Sequence, residues 1–174
     1  ASRLVETNLA NNWNISKNII EMVYECSFID IKEKGMLPKN NENNVFTIGA
    51  SGNVHWRKGH DMFLQVARYI NSNFPDVVVK SVWVGKISSE EHIILEEDIQ
   101  KLDLKAIVLF TGEVENPSIY FNDFDVFVMT SREDPFPLVC IEVGMLGKPI
   151  ICFKGATGSE EIIENGGGFI VPYL

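Results

Sequence analysis

The sequence predicts an α/β domain built on a parallel sheet with helices on both faces, and three observations carry that expectation. From Val45 onward, short and almost wholly apolar runs alternate with amphipathic segments. The runs lack the in-out alternation of a half-exposed strand, so each must be covered on both sides. Glycines and cations collect just after these runs, where a parallel sheet presents the carboxyl ends of its strands.

In order, residues 45–50 read as a strand and 61–74 as a helix with Met62, Phe63, Val66, Ala67 and Ile70 on its apolar face. Residues 77–84 read as a strand. Residues 90–102 form a helix opened by Ser88 with Glu91 three positions on, a reciprocal cap. A strand over 107–111 and a short helix over 117–122 follow. Residues 126–130, 137–146, 150–153, 159–164 and 169–171 then continue as strand, helix, strand, helix, strand. Right-handed crossovers between such strands make a doubly wound, Rossmann-like layer. Upstream, residues 1–18 hold a short amphipathic helix with Leu4, Val5 and Leu9, and 19–24 a candidate strand. Residues 30–44, polar around Pro38 and Asn40-Asn41-Glu42-Asn43-Asn44, read as a linker or exposed loop. The expected organisation is therefore a linker segment over 1–44 and a Rossmann-like domain over 45–174.

A chain of 174 residues, 45% hydrophobic, can build one domain with a full core. Its net charge of −9 argues against nucleic acid and anionic membrane as partners. Cys26, Cys140 and Cys152 are widely spaced and odd in number, which reads as reduced core thiols of a cytoplasmic protein. No apolar run approaches a membrane span and no signal peptide is visible. A start without methionine and an end directly after a strand suggest a piece of a longer protein.

The richest stretch is Ser131-Arg132-Glu133-Asp134-Pro135-Phe136-Pro137-Leu138-Val139-Cys140-Ile141-Glu142. Pro135 and Pro137 end the preceding strand and force a turn, with Pro137 suited to the first helical position. Unpaired N–H groups and the positive end of the helix dipole then coincide at the helix start and attract an anion. Asp134 and Glu142, eight positions apart, would flank that start, Glu142 about two turns into the helix. Two readings stand open: the acids accept hydrogen bonds from sugar or ribose hydroxyls, or they cap the helix and face solvent.

Reading only the strand ends gives Asn53, His55, Arg57 and Lys58, then Lys86, then Arg132 and Lys154, with glycines at 49, 52, 59, 85, 112, 155 and 158. Cations gathered on one rim of an acidic protein favour an anionic ligand, phosphate above all, and glycines let backbone approach it. The alternatives are thinner. The first loop, Gly49-Ala50-Ser51-Gly52, is not the G-x-G-x-x-G of a dinucleotide fold, Arg57-Lys58-Gly59 is not a P-loop, and no G-x-S-x-G elbow occurs. His55, His60 and His92 are scattered and no C-x-x-C exists, so no metal site is expected. His55 reads as a surface histidine and Trp56 as partly buried. Asp123-Phe124-Asp125 reads as a capped or solvated turn, and Glu160-Glu161 as complements to a helix dipole.

Gly49 to Gly59, Phe110-Thr111-Gly112-Glu113-Val114, Ser131 to Glu142, Gly147-Lys148-Pro149-Ile150 and Gly155-Ala156-Thr157-Gly158, in that order, together resemble the nucleotide-binding half of retaining glycosyltransferases with the GT-B fold, in the family-four group of bacterial polysaccharide and glycolipid enzymes. The resemblance runs from about Val45 to Val171. It implies that Lys58 holds the diphosphate of a nucleotide sugar, that Glu142 accepts from ribose hydroxyls, and that Asp134 contacts hydroxyls of the donor sugar. Gly52 would lie beside the phosphates and backbone N–H groups around Phe136, Pro137, Leu138 and Val139 would meet them, with Gly112, Glu113 and Val114 near the base. The chain departs from the pattern twice. Asn53 stands where the family has arginine, so Arg57 is expected to supply the second cation. Asp134 replaces the first glutamate, with Glu133 beside it.

The resemblance further implies a hexosyltransferase that needs no cofactor or metal. Its saccharide or lipid-linked acceptor would be held by a separate N-terminal domain, so this stretch alone would be inactive. It would be cytoplasmic, with peripheral attachment to the inner membrane through the other domain left open. Positive charge grows on the sugar and negative charge on the departing diphosphate, so fixed cations and N–H donors act where charge develops. The alternatives are a sugar-nucleotide epimerase of the same fold and a non-catalytic, flavodoxin-type nucleotide-binding module.

Overall fold

The computed structural model describes residues 2–27 and 45–173. The expected loop over 30–44 lies outside the described residues. Helix α1 (Arg3–Asn12) and a 3-10 turn at Lys17–Ile19 come first. Then follow β1 (Phe46–Ser51), α2 (His60–Asn73), β2 (Val79–Val84), α3 (Ser89–Lys101), β3 (Val108–Phe110), α4 (Ser118–Asp123), β4 (Val126–Met129), α5 (Leu138–Met145), β5 (Ile150–Phe153), α6 (Glu160–Ile162) and β6 (Gly168–Val171). The strands form a six-stranded sheet in the order β3-β2-β1-β4-β5-β6, and every pair is parallel. This is the doubly wound sheet expected, with the order reversing between β1 and β4. The crevice above that reversal is where such sheets bind ligands.

Strand β2 shows why its residues had to be apolar on both faces. Trp83 packs with Phe63, Leu64 and Leu95 from α2 and α3, while Val82 and Val84 pack with Phe121, Phe127 and Cys140 on the other side. Successive side chains of a strand point oppositely, so one strand feeds two cores. Burying each such aliphatic or aromatic side chain contributes roughly 1.5–3 kcal/mol. The Ser88 cap forms as expected, its hydroxyl accepting from Glu91 N–H at 3.2 Å. Asp125 accepts from Thr47 N–H at 2.7 Å and donates its own N–H to Thr47 O at 2.8 Å. The acid thus aligns β4 beside β1 rather than merely solvating a turn.

Three local expectations change. Residues 19–24 form no strand: after the 3-10 turn the described chain runs without ladder pairing to the sheet, and a strand needs a partner for its backbone groups and side chains. Helix α5 begins at Leu138, with Pro137 as the extended residue before it. The segment over 159–164 shrinks to α6 and then widens into a π-turn at Ile163–Gly167, because Asn165 to Gly168 have low helix propensity.

Candidate functional site

Two loops leave the sheet at its reversal point and meet. The loop after β1 passes Gly52 and Asn53 into a 3-10 turn at Trp56–Lys58, closed at its start by His55 Nδ1, which accepts from Arg57 N–H at 3.1 Å. Gly59 then turns the chain into α2 with φ +73°, packed so closely on the Thr130 carbonyl that any Cβ would collide with it. The loop after β4 carries Ser131 to Pro137. Lys58 Nζ donates across the junction to Asp134 Oδ2 at 2.5 Å, with side chains 23% and 10% exposed. Asp134 is fixed by its own backbone, its N–H donating to Ala156 O at 2.9 Å and its carbonyl accepting from Gly158 N–H at 3.2 Å. The Gly155-to-Gly158 stretch therefore works as a brace under the acid. Charge-assisted bonds of this kind are short and strong, and partial burial keeps solvent from screening them.

The same turn delivers the start of α5, which no side chain caps; Cys140 N–H donates to Pro137 O at 3.1 Å, and the positive end of the helix dipole lies at that start. Glu142 sits about one turn into α5, four residues after Leu138, and not the two turns expected. Its Oε1 accepts from the Ser27 hydroxyl at 2.7 Å. Tyr24 lies against Phe136 with ring centroids 5.5 Å apart. Its hydroxyl donates to Glu161 Oε2 at 2.6 Å, and Arg3 N–H donates to Glu161 Oε1 at 2.6 Å. Residues 2–27 are thus tied to the sheet domain across the mouth of α5. Glu161 holds that segment rather than only complementing a dipole, and Glu160 accepts from Gly155 N–H.

On the far side of β1 the rim is built from backbone. Gly52 N–H donates to Val84 O at 3.0 Å and Gly52 O accepts from Trp83 Nε1 at 2.7 Å. Gly85, at φ +152°, lies so near the Gly52 carbonyl that only glycine fits. Gly85 N–H donates to Gly112 O at 3.2 Å, which brings Gly112-Glu113-Val114 to the same rim. Glu113 faces Lys86 at 3.7 Å, both side chains largely exposed, and Val114 packs on the core. Asn53, His55, Arg57, Lys58, Lys86 and Glu91 are among the residues lining a cavity of about 670 Å³ here. Arg57 and Asn53 share that wall, both exposed.

Of the sequence-expected residues, the structure gathers Gly52, Arg57, Lys58 and Asp134 at the reversal point. Phe136 to Val139 and Glu142 stand on the α5 side, and Gly112 to Val114 on the β3 side. Arg132 departs from expectation. Its guanidinium donates to both Asp61 oxygens at 2.8 and 2.7 Å and to Trp56 O at 2.7 Å, and lies 4.7 Å from the centre of the Trp56 ring. It is spent inside the protein instead of facing a ligand. The Arg132 hydrogen bonds hold the Asp61 carboxyl below the usual carboxylate range, partly offset by burial, and the same bonds raise Arg132. Trp56 is 59% exposed, not partly buried. Cys26 is exposed, so only Cys140 and Cys152 are core thiols, with burial pushing both up to about 12. Sequence reading missed Asp61, Ser27 and the brace at Ala156. Asp61 had the weak signal of an acid beside the cationic loop; Ser27, far from Glu142 in sequence, had none.

A second cavity, about 550 Å³, lies between α5 and the π-turn among Cys140, Met145, Pro149, Ile150 and Ile162. Its ammonium group, Lys148 Nζ, donates to Asn122 O at 2.5 Å. Among the described residues no cluster of three His, Cys, Asp or Glu side chains is placed to hold a metal ion, and no helix is long and apolar enough to cross a membrane.

Fold and site define a doubly wound α/β domain with a cation-lined cleft at its topological switch point. The family model for group 1 glycosyl transferases matches residues 32–173, and the chain belongs to that family. A Klebsiella pneumoniae protein of the cps region is 30% identical over 99% of this chain and 47% of its own length. The capsular polysaccharide biosynthesis glycosyltransferase CapM of Staphylococcus aureus is 31% identical over 74% of this chain and 33% of its own. The crystal structure of Anabaena HepE in complex with UDP superposes with a TM-score of 0.81 at 21% identity, covering 98% of this chain and 48% of that one. The fold is accordingly one half of a GT-B arrangement, and the chain spans about half or less of the length of the relatives it matches.

Proposed function

We propose that this domain binds the donor of a glycosyltransferase, a nucleoside diphosphate sugar, and helps transfer its hexosyl group with retention to a saccharide or lipid-linked acceptor held by a separate domain. The observation that carries the reading is the Lys58–Asp134 pair at 2.5 Å beside the uncapped start of α5, with Glu142 one turn in. A diphosphate arriving at the helix start meets N–H groups and the Lys58 ammonium together. Arg57, Asn53 and Gly52 stand beside it.

Glu142 is acceptor-only when ionised, and the Ser27 hydroxyl now fills a position a ribose hydroxyl could take. Asp134 can turn its remaining lone pairs to sugar hydroxyls while holding Lys58. Gly112, Glu113 and Val114 offer a base-side wall. As the anomeric bond breaks, negative charge collects on the diphosphate, and preorganised cations and N–H dipoles lower the barrier there. In this reading side chains and amides, not a metal, carry that charge, so turnover persists in a chelator. UDP bound to the Anabaena protein is consistent with a uridine nucleotide.

Titration calorimetry of UDP and GDP against flavin mononucleotide and inorganic phosphate tests the reading. Preference for a nucleoside diphosphate is the expected result, and equal or better flavin binding would overturn it. The separate acceptor domain predicts that the isolated 174-residue chain binds nucleotide without transferring sugar.

A further inference from the structure

The two loops that bear Lys58 and Asp134 are also tied on their outer side, by groups the proposed chemistry does not use. Arg132 N–H donates to Arg57 O at 2.8 Å, and Thr130 Oγ1 donates to Lys58 O at 3.3 Å. The Arg132 guanidinium then reaches Trp56 O and both oxygens of Asp61 while lying over the Trp56 ring. Its side chain is 14% exposed, whereas Asp61 is 44% exposed. Thus one side chain of the β4 loop grips the residue two before Lys58 and the residue three after it. The peptide that sets the Lys58 backbone is held from both ends, and its side chain is held by Asp134. A planar five-donor fork suits this bidentate and stacked task, and lysine does not reproduce it.

We propose that Arg132 is a positioning residue. Acting through Asp61 and Trp56, it holds the 52–59 loop so that Lys58 is aligned with the donor diphosphate before the donor arrives. This rests on the donor-binding reading above. Misplacing a catalytic group by about 1 Å costs roughly 10²-fold in rate. The clamp therefore matters to turnover through Lys58 and not independently of it.

The test is a double-mutant cycle in the full-length enzyme, with turnover of its nucleotide sugar and calorimetric binding of UDP and GDP as readouts. Arg132→Ala is expected to lower kcat by roughly 10²-fold, with a smaller change in KM. In a Lys58→Ala background the same substitution is expected to cost little more, since coupled groups are not additive. Arg132→Lys, which keeps the charge, should recover only part of the loss, and Asp61→Asn, at a half-buried position, should reproduce its direction without unfolding. Melting temperature is followed for each variant. Additive losses from Arg132→Ala and Lys58→Ala, or a full recovery by Arg132→Lys, overturn the positioning role while leaving the functional reading intact. If the wild type binds neither diphosphate, the functional reading fails and the inference falls with it.

Discussion

The two flanks of the cleft are built differently although both sit on the same rim. On the β1–β4 side, loops are locked by a partly buried ion pair, a bidentate arginine and a backbone brace. On the β2–β3 side, glycines set the backbone, but the charged pair, Lys86 with Glu113, has side chains 62% and 74% exposed and 3.7 Å apart. Exposed pairs are weak and screened by salt, whereas buried donors held in place are worth most where charge develops. On the donor-binding reading proposed above, the rigid flank is the one suited to the diphosphate. The looser flank is suited to recognition.

The largest expected effect breaks the rigid flank. In the full-length enzyme Lys58→Ala should lower turnover by about 10²–10³-fold, roughly 2.7–4 kcal/mol; a rate equal to wild type removes Lys58 from the mechanism. Next, Glu142→Ala should weaken nucleotide binding by roughly 1.5–3 kcal/mol, the value of a charged hydrogen bond, read by calorimetry. Unchanged affinity would place the ribose elsewhere.

A third effect reads the packing beneath the rigid flank. Cys140, on the buried face of α5, has its thiol pushed from 9.0 to about 12. Between those values the unfolded chain has lost a proton that the folded chain keeps. Stability is therefore fully present below about pH 9 and falls as pH rises toward 12, by up to roughly 1.4 kcal/mol per unit for that thiol. Urea melts from pH 8 to 11 should show the decline, and Cys140→Ala should make it shallower, leaving the share of Cys152, whose thiol is also pushed to about 12. The smallest effect belongs to the loose flank: Lys86→Ala should change nucleotide affinity by no more than about threefold, and less at high salt. A loss matching that of Lys58→Ala would erase the contrast between flanks.

Periodicity and punctuation carried the fold because they are local. All-apolar runs specified buried parallel strands, Ser88 specified a helix start, and most element ends fall within one or two residues of expectation. The weak points were local as well. Residues 19–24 had strand-like composition but no pairing partner among the described residues, and the helix expected over 159–164 is α-helical only over Glu160–Ile162 before it widens into a π-turn.

The sequence by itself determined which residue types stand at the carboxyl ends of the strands, because chain direction and alternation place them there. Lys58 and Asp134 were placed on that rim for that reason, and Glu142 on the helix that follows it. Only the tertiary structure decided which charges meet each other. Lys58 and Arg132 look alike as loop cations, yet one turns to Asp134 at the crevice and the other to Asp61 behind it. That choice depends on how two loops distant in sequence pack over a sheet, and ion pairing acts over a few ångströms of space, not along the chain.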